Sequence, residues 1–248
     1  MDLRRQFGRV AFATIAMVVE FTMVVAYPCL ATGILPLKTV TTASLPGEAS
    51  RFDYESLDPK THLLFLAHLA ASQVVVFNVK TNHVVATIPD VDQVHGVLAV
   101  PELGRVFATA TGSNEVAVID EHTLKVVDRV AGGTYPDGMA YDAADKKLYV
   151  SDESGDTDTV INTKTNKRVA TIALGGDVGN TQYDANSHRV YVNVQTRGDL
   201  VASIPRRTRL SHGIHCPIAV AITACIWMRH IAKHTSRAKT TRSSSSLT

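Results

Sequence analysis

The repetitive part of this 248-residue chain contains no cysteine, because Cys29, Cys216 and Cys225 all lie outside residues 38–202. A disulfide framework and a thiolate metal site are therefore excluded there. The chain also lacks a phosphate-binding glycine loop, a nucleophile elbow, an H-E-x-x-H helix and a haem attachment sequence. No apolar run in the repetitive part has the length or the 3.6-residue spacing of a helix. The sequence therefore does not predict a helical domain, and it contains none of the enzyme motifs named above.

The sequence does contain a gapless repeat with a period of 42 residues. One strand-like tripeptide recurs four times in the same phase, at Leu63–Phe65, Arg105–Phe107, Lys147–Tyr149 and Arg189–Tyr191. Other positions keep this phase, including Val76–Asn78, Val118–Asp120 and Val160–Asn162. A fixed period of this size indicates a repeat protein.

Each period contains short runs rich in Val, Ile, Tyr, Phe and Thr, separated by Asn, Asp, Gly, Ser and Lys. Such runs predict β-strands joined by hairpin turns. In the first unit the strands are expected at 62–68, 73–79, 83–89 and 94–100. Four strands in about 42 residues are typical of a propeller blade, and a β-sandwich would give no reason for a gapless period. The predicted fold is therefore an all-β propeller of four-stranded blades.

The repeat units resemble the YVTN family of β-propeller repeats, the YncE-like proteins. The matching pieces are Leu148–Ser151, Val190–Asn193, Val116–Asp120, Thr165–Ile172 and His95–Val97. The resemblance covers residues 52–202. It implies a ring of about six or seven blades, of which residues 38–202 would supply a closing strand at 38–46, about three complete blades and the start of a fourth.

An incomplete ring leaves strand edges and an apolar blade face uncovered. We therefore expect the chain as written to be poorly soluble or to aggregate.

Residues 1–31 predict a secretory signal peptide. Arg4, Arg5 and Arg9 precede an apolar stretch over 10–27, and cleavage is expected after Ala31. The alternative is an uncleaved membrane anchor, because 18 apolar residues approach the length needed to span a bilayer. Export predicts a periplasmic or secreted protein.

The net charge of +2 is the sum of unlike segments. Residues 39–202 contain 21 acidic and 13 basic residues, whereas residues 203–248 contain eight basic residues and no acidic one.

The repeat phase breaks at residue 202, since Ala202–Ile204 should match Val118–Asp120. A shift of one nucleotide after codon 202 would restore the register. We predict that 203–248 is a basic, disordered and frame-shifted tail, and the alternative is a genuine disordered tail. No nucleic-acid partner is expected.

Candidate site residues come from repeat geometry, since equivalent positions of successive blades form a ring around the channel. One corner position reads Asp53, His95, Asp137 and Gly179, and the position two residues earlier reads Arg51, Gln93, Tyr135 and Asp177. Two carboxylates and an imidazole could bind a divalent cation, but such residues also commonly stabilise turns. The second ring indicates a small polar ligand.

Residues 152–158 form an acidic stretch that could also attract a cation. This stretch lacks the spacing of an EF-hand, so a solvated acidic turn is the preferred interpretation. The five scattered histidines His62, His68, His83, His122 and His188 are interpreted as surface or turn residues.

The predicted function is a non-catalytic binding or scaffold module that acts through the channel mouth or the blade edges. Its expected partner is a small polar ligand or a protein. No cofactor is expected beyond a possible divalent cation. The alternative is a metal-dependent enzyme of the lactonase or quinoprotein-dehydrogenase kind, because propellers also carry such activities. Fold alone does not choose between the two.

Overall fold

The computed structural model of the protein describes residues 38–204 and 209–215. These residues form sixteen β-strands arranged as four antiparallel sheets of four strands each. Each sheet follows the chain order, so that neighbouring strands are joined by hairpins. The all-β prediction and the prediction of an incomplete propeller are confirmed.

We call the four sheets blades 1 to 4. Blade 1 contains β1 (Glu55–Asp58), β2 (Leu63–His68), β3 (Gln73–Asn78) and β4 (His83–Ile88), and blade 2 contains β5 (Val94–Val100), β6 (Arg105–Ala110), β7 (Glu115–Asp120) and β8 (Lys125–Ala131). Blade 3 contains β9 (Pro136–Asp142), β10 (Lys147–Asp152), β11 (Thr157–Asn162) and β12 (Lys167–Ala173), and blade 4 contains β13 (Val178–Asp184), β14 (Arg189–Val194), β15 (Asp199–Ile204) and β16 (Arg209–His215).

The blades are out of phase with the sequence units by one strand. The fourth strand expected for the first unit, at 94–100, is β5, which pairs with β6 and begins blade 2. The first strands of successive blades contact one another, so β1, β5, β9 and β13 form the inner wall of the assembly. This placement brings the corner positions of different blades together.

Three apolar clusters hold the four blades together, one at each junction. Phe65 of blade 1 packs with Val106 of blade 2, and Phe107 of blade 2 packs with Leu148 of blade 3. The third cluster joins Tyr149 of blade 3 to blade 4. Since consecutive strand residues point to opposite faces, each blade uses one face for its predecessor and the other for its successor.

The outer strands of blades 1 to 3 each contain a β-bulge at the equivalent position. The pairing register of β4, β8 and β12 shifts at Val85, Val127 and Val169, so each of these residues is the extra residue of a β-bulge. All three valines are exposed. A bulge twists an edge strand away from flat pairing, which reduces edge-to-edge association.

Two expectations for the ends of the repeat region differ from the structure. Residues 38–46 form no β-strand, because a closing strand needs the edge of a final blade to pair with. Residues 209–215 form β16, although composition predicts disorder over 203–248; an edge strand can pair through backbone groups that every residue carries. The domain boundaries stay predictions.

No helix within the described residues is long and apolar enough to cross a membrane. The leader over 1–31 and the remainder of the tail after 215 lie outside the described residues.

Candidate functional site at the channel mouth

The four inner strands line a cavity of about 560 Å³ that is partly open to solvent. Its lining comes from every blade and includes Tyr54–Ser56 from blade 1, Gly96–Glu102 from blade 2, Met139–Tyr141 from blade 3 and Gln182–Tyr183 from blade 4. Tyr54 and Gly96 directly follow Asp53 and His95 in the sequence. The predicted corner residues therefore stand at one end of this cavity. We call the group Arg51, Asp53, His95, Tyr135 and Asp137 the channel mouth.

His95 and Tyr135 link blade 2 to blade 3 across the mouth. His95 is 4% exposed, and its Nδ1 lies 2.8 Å from the carbonyl oxygen of Gln93. A carbonyl oxygen only accepts, so Nδ1 carries the hydrogen. Nε2 of the ring lies 3.0 Å from the hydroxyl oxygen of Tyr135. The two rings meet edge to face at 5.1 Å between centroids. The imidazole is thus held in one orientation by contacts from both sides.

The backbone before β9 turns Tyr135 toward this contact. Tyr135 has a φ of 60°, and its N–H donates to the side-chain oxygen of Asn114 at 2.8 Å. A left-handed φ is uncommon for an aromatic residue. This hydrogen bond to Asn114 helps to hold Tyr135 in the left-handed conformation.

Asp137 provides an unpaired carboxylate at the mouth. Its side chain is half-buried and makes no hydrogen bond with any described residue. Burial raises the pKa of Asp137 to about 6, with His95 and Arg51 opposing and Glu153 and Asp53 adding to the rise. Arg51 donates to Asp53 at 2.7 Å. The mouth therefore has one internal ion pair and one desolvated carboxylate that lacks a partner.

Tyr54 joins blade 1 to blade 4 across the channel. Its hydroxyl donates to the side-chain oxygen of Asn180. Burial raises the pKa of Tyr54, and the charges of Asp137, Asp53 and Glu153 add to the rise. A Cβ placed on Gly138 would lie 3.3 Å from the Tyr54 hydroxyl. Tyr54 thus connects the mouth to the inner wall of the opposite blade.

The structure brings together only part of the two predicted rings. His95 and Tyr135 are in contact, Arg51 pairs with Asp53, and Asp137 lies within electrostatic range of these groups. The remaining members, Gln93, Asp177 and Gly179, are not part of the group: the Gln93 and Asp177 side chains are exposed, and Gly179 packs against Gln195.

The described residues contain no group of three or more His, Cys, Asp or Glu that could hold a metal ion. Asp53, His95 and Asp137 therefore do not converge as a set of three ligands. Side chains around the mouth can instead accept and donate hydrogen bonds to a polar molecule.

The acidic stretch 152–158 is a solvated turn only in its middle, because Asp156 is exposed whereas both ends of the stretch are buried. Asp152 is fully buried and Asp158 is 1% exposed. Asp152 accepts from the N–H of Gly133 and from the hydroxyls of Thr157 and Thr159, each at 2.8 Å. Asp152 is therefore an internal acceptor that holds the turn to its blade.

Sequence reasoning missed several residues of the site. Tyr54 and Asn180 were not singled out, and Glu153 was treated only as part of the acidic stretch. His68 is buried, stacks on Phe52 at 4.0 Å and contacts Ser50 at 2.8 Å, so its interpretation as a surface or turn residue is wrong. No local signal marks these positions, because their partners are distant in the sequence.

Comparison with known proteins supports the repeat family. No protein-family model matches the chain. The chain is 32% identical over 96 residues to the uncharacterized protein YncE of Salmonella typhi and to that of Salmonella typhimurium. Over the matched segment the repeats of this chain are similar to those of YncE, and the structure shows them as β-propeller blades. The match covers 39% of this chain and only 27% of each relative.

Solved structures resemble this chain in fold alone. Kuenenia stuttgartiensis hydrazine synthase is 17% identical, with a TM-score of 0.61 over 71% of this chain and 52% of that one. A chain of the mitotic checkpoint complex is 14% identical, with a TM-score of 0.60 over 69% of this chain and 54% of that one. The dihydro-heme d1 dehydrogenase NirN in complex with DHE is 16% identical, with a TM-score of 0.52 over 67% and 38%.

Proposed function

We propose that this protein is an exported, non-catalytic binding module that holds a small polar ligand at the channel mouth. The observation that carries the proposal is the convergence of all four blades on one cavity of about 560 Å³, whose lining residues Tyr54 and Gly96 directly follow Asp53 and His95 of the mouth. A cavity of this size suits a small molecule.

The chemistry of the mouth favours a ligand that donates hydrogen bonds. The carboxylate of Asp137 is partly desolvated and unpaired, and a desolvated acceptor without a partner costs free energy that a bound donor would recover. The His95 ring is already engaged on both nitrogens. An amine or a polyol is therefore the expected class of ligand.

Binding can be tested with three probes, putrescine, glucose and citrate, on the full chain. We expect putrescine or glucose to raise the unfolding temperature, and citrate to have no effect because it repels Asp137. Asp137→Asn should weaken the effect at least tenfold in concentration. Asp177→Asn is the matched control, since it removes the same charge from an exposed position that is equivalent to Tyr135 but outside the mouth.

Failure of all three probes to raise the unfolding temperature, or equal effects of Asp137→Asn and Asp177→Asn, would overturn the proposal of a ligand site at the mouth.

Export is tested separately by the mass of the mature protein, which should lack residues 1–31. The proposal that the chain is a fragment of a longer propeller rests on the break of the repeat phase at 202. Nucleotide sequencing downstream of codon 202 tests it, and the absence of further 42-residue units in any frame would contradict it.

A further inference from the structure

The junction between blades 3 and 4 is polar at four positions where the other two junctions are apolar. Phe65 and Phe107 are replaced by Tyr149, and Val74 and Val116 by Asp158. Likewise, Thr181 stands at the position of Val97 and Met139, and Ser203 at the position of Ile119 and Ile161. All four polar residues are buried. The repeats thus provide an internal comparison, and at these four positions only the junction between blades 3 and 4 is polar.

Polar groups in this junction lack partners. The hydroxyl oxygens of Tyr149 and Ser203 and the Oδ2 atom of Asp158 are buried and make no hydrogen bond with the described residues. The single bond to the Asp158 carboxyl comes from the hydroxyl of Thr181 on blade 4, at 3.2 Å from Oδ1. A buried carboxylate normally needs several donors or a cation to remain charged.

Among the described side chains, none places a positive charge beside Asp158. On β10 the nearest ionisable groups are Asp152, which is itself acidic, and Tyr149. Arg168 on β12 acts on Asp152, while its guanidinium is bonded to Thr171 and to the carbonyl of Gly132. Among the side chains of blade 4 that the structure describes, the polar groups toward this junction are the hydroxyls of Thr181 on β13 and Ser203 on β15, with Tyr183 farther along β13.

We propose that blade 4 packs fully on blade 3 only while Asp158 carries a proton, so that this junction loosens as the pH rises. The carboxyl is then neutral, which removes the cost of a buried charge beside Asp152. Burial, together with the charge of Asp152, raises the pKa of Asp158 well above its usual value.

The direction of the pH effect follows from the two states. In the unfolded chain the Asp158 carboxyl loses its proton near pH 4, whereas in the folded protein it keeps the proton to a higher pH. The stability contributed by the neutral carboxyl is therefore complete below about pH 4 and is lost as the pH rises toward the folded-state pKa. In that window each pH unit lowers the ratio of folded to unfolded molecules by about tenfold.

Loosening of this junction would reach the channel directly. Thr181, which holds the Asp158 carboxyl, lies between Asn180 and Gln182 on β13. Asn180 accepts from Tyr54 across the channel, and Gln182 lines the cavity. A consequence for ligand affinity rests on the proposed function, but the pH dependence of the junction does not.

The test compares urea unfolding of the full chain at pH 5 and pH 8 for wild type, Asp158→Asn and Asp158→Val. Asparagine cannot ionise, and valine is the residue of the other two junctions. We expect wild type to lose at least tenfold in its folded-to-unfolded ratio between these pH values relative to both variants. If Asp158→Asn fails to fold, Asp158→Val carries the comparison. Asp156→Asn, an exposed neighbour in the same turn, should keep the wild-type pH dependence.

Hydrogen exchange locates the effect within the chain. At pH 8, amides of β13, β14 and β15 should exchange at least tenfold faster in wild type than in Asp158→Val, whereas amides of β6 and β7 should exchange equally in both. Equal exchange in blade 4, or the same unfolding profile in wild type and Asp158→Val, would overturn the inference. Because neither measurement uses a ligand, its result is independent of the probe-binding test.

Discussion

Gly96 is the position where one added methyl group tests the packing of blade 2 against blade 3. A Cβ atom on Gly96 would lie 2.2 Å from the carbonyl oxygen of Asp137 and 2.9 Å from Oγ1 of Thr109. Real Cβ atoms essentially never approach another heavy atom within 3.0 Å. Gly96→Ala must therefore move the backbone of blade 3 outward, since a carbonyl group cannot rotate away as a side chain can.

The expected cost has two parts. Forcing a methyl group into a packed junction costs about 1–3 kcal/mol. The same displacement disturbs the Thr109 hydroxyl, which donates to the Asp137 carbonyl at 2.9 Å and accepts from the N–H of Gly96 at 2.7 Å. Each such bond contributes about 1 kcal/mol. We therefore expect Gly96→Ala to lower the free energy of unfolding by about 3–5 kcal/mol, a large share of the roughly 5–15 kcal/mol of a typical domain.

Urea unfolding followed by far-ultraviolet circular dichroism measures this change. Gly138→Ala is the matched control, because Gly138 is the equivalent position one blade later and its nearest contacts are side-chain atoms at 3.3–3.4 Å. Those side chains can shift, so we expect a loss of about 1 kcal/mol or less. The reasoning is refuted if Gly96→Ala costs no more than Gly138→Ala.

Three further outcomes follow from other parts of the molecule. Burial and the neighbouring Asp58 raise the pKa of Glu121 to about 7, so the folded protein keeps a proton that the unfolded chain loses above about pH 4. Wild type should therefore lose stability between pH 5 and pH 7 relative to Glu121→Gln. Urea midpoints that change in parallel for the two proteins would contradict this. Val127 is an exposed bulge residue, so Val127→Lys should change the free energy of unfolding by less than about 0.5 kcal/mol. The added charge on the outer strand should also reduce light scattering from aggregates. Unchanged scattering would contradict the view that this strand edge causes association. Tyr135→Phe removes the hydroxyl next to Nε2 of His95 and should cost about 1 kcal/mol in thermal unfolding, whereas an unchanged midpoint would show that this bond contributes nothing.

Much of the fold could be predicted because it is repeated. The 42-residue period, with β-branched runs separated by turn residues, predicted four strands per unit, and the structure has four strands per blade. The assignment of 94–100 to the first blade was wrong, since β5 pairs with β6. Periodicity reports the length of a unit but not its starting strand, because every choice of start has the same period.

The candidate site was predicted in part. His95 and Asp137 share a phase and lie on the first strands of successive blades, whereas Gln93 and Asp177 share the neighbouring phase and are exposed. Repeat equivalence predicts where a backbone lies. It does not predict which side chains touch, since that depends on the differing residues of neighbouring blades.

The sequence by itself determined the repeat, the strand order and the family resemblance, because hydrophobic alternation and turn residues act over a few neighbouring positions. Only the tertiary structure decided that Tyr54 meets Asn180 across the channel and that Asp158 is buried against Thr181. These partners lie 126 and 23 residues apart in the chain. Contacts of that kind arise from the way in which whole blades pack, and no local pattern encodes them.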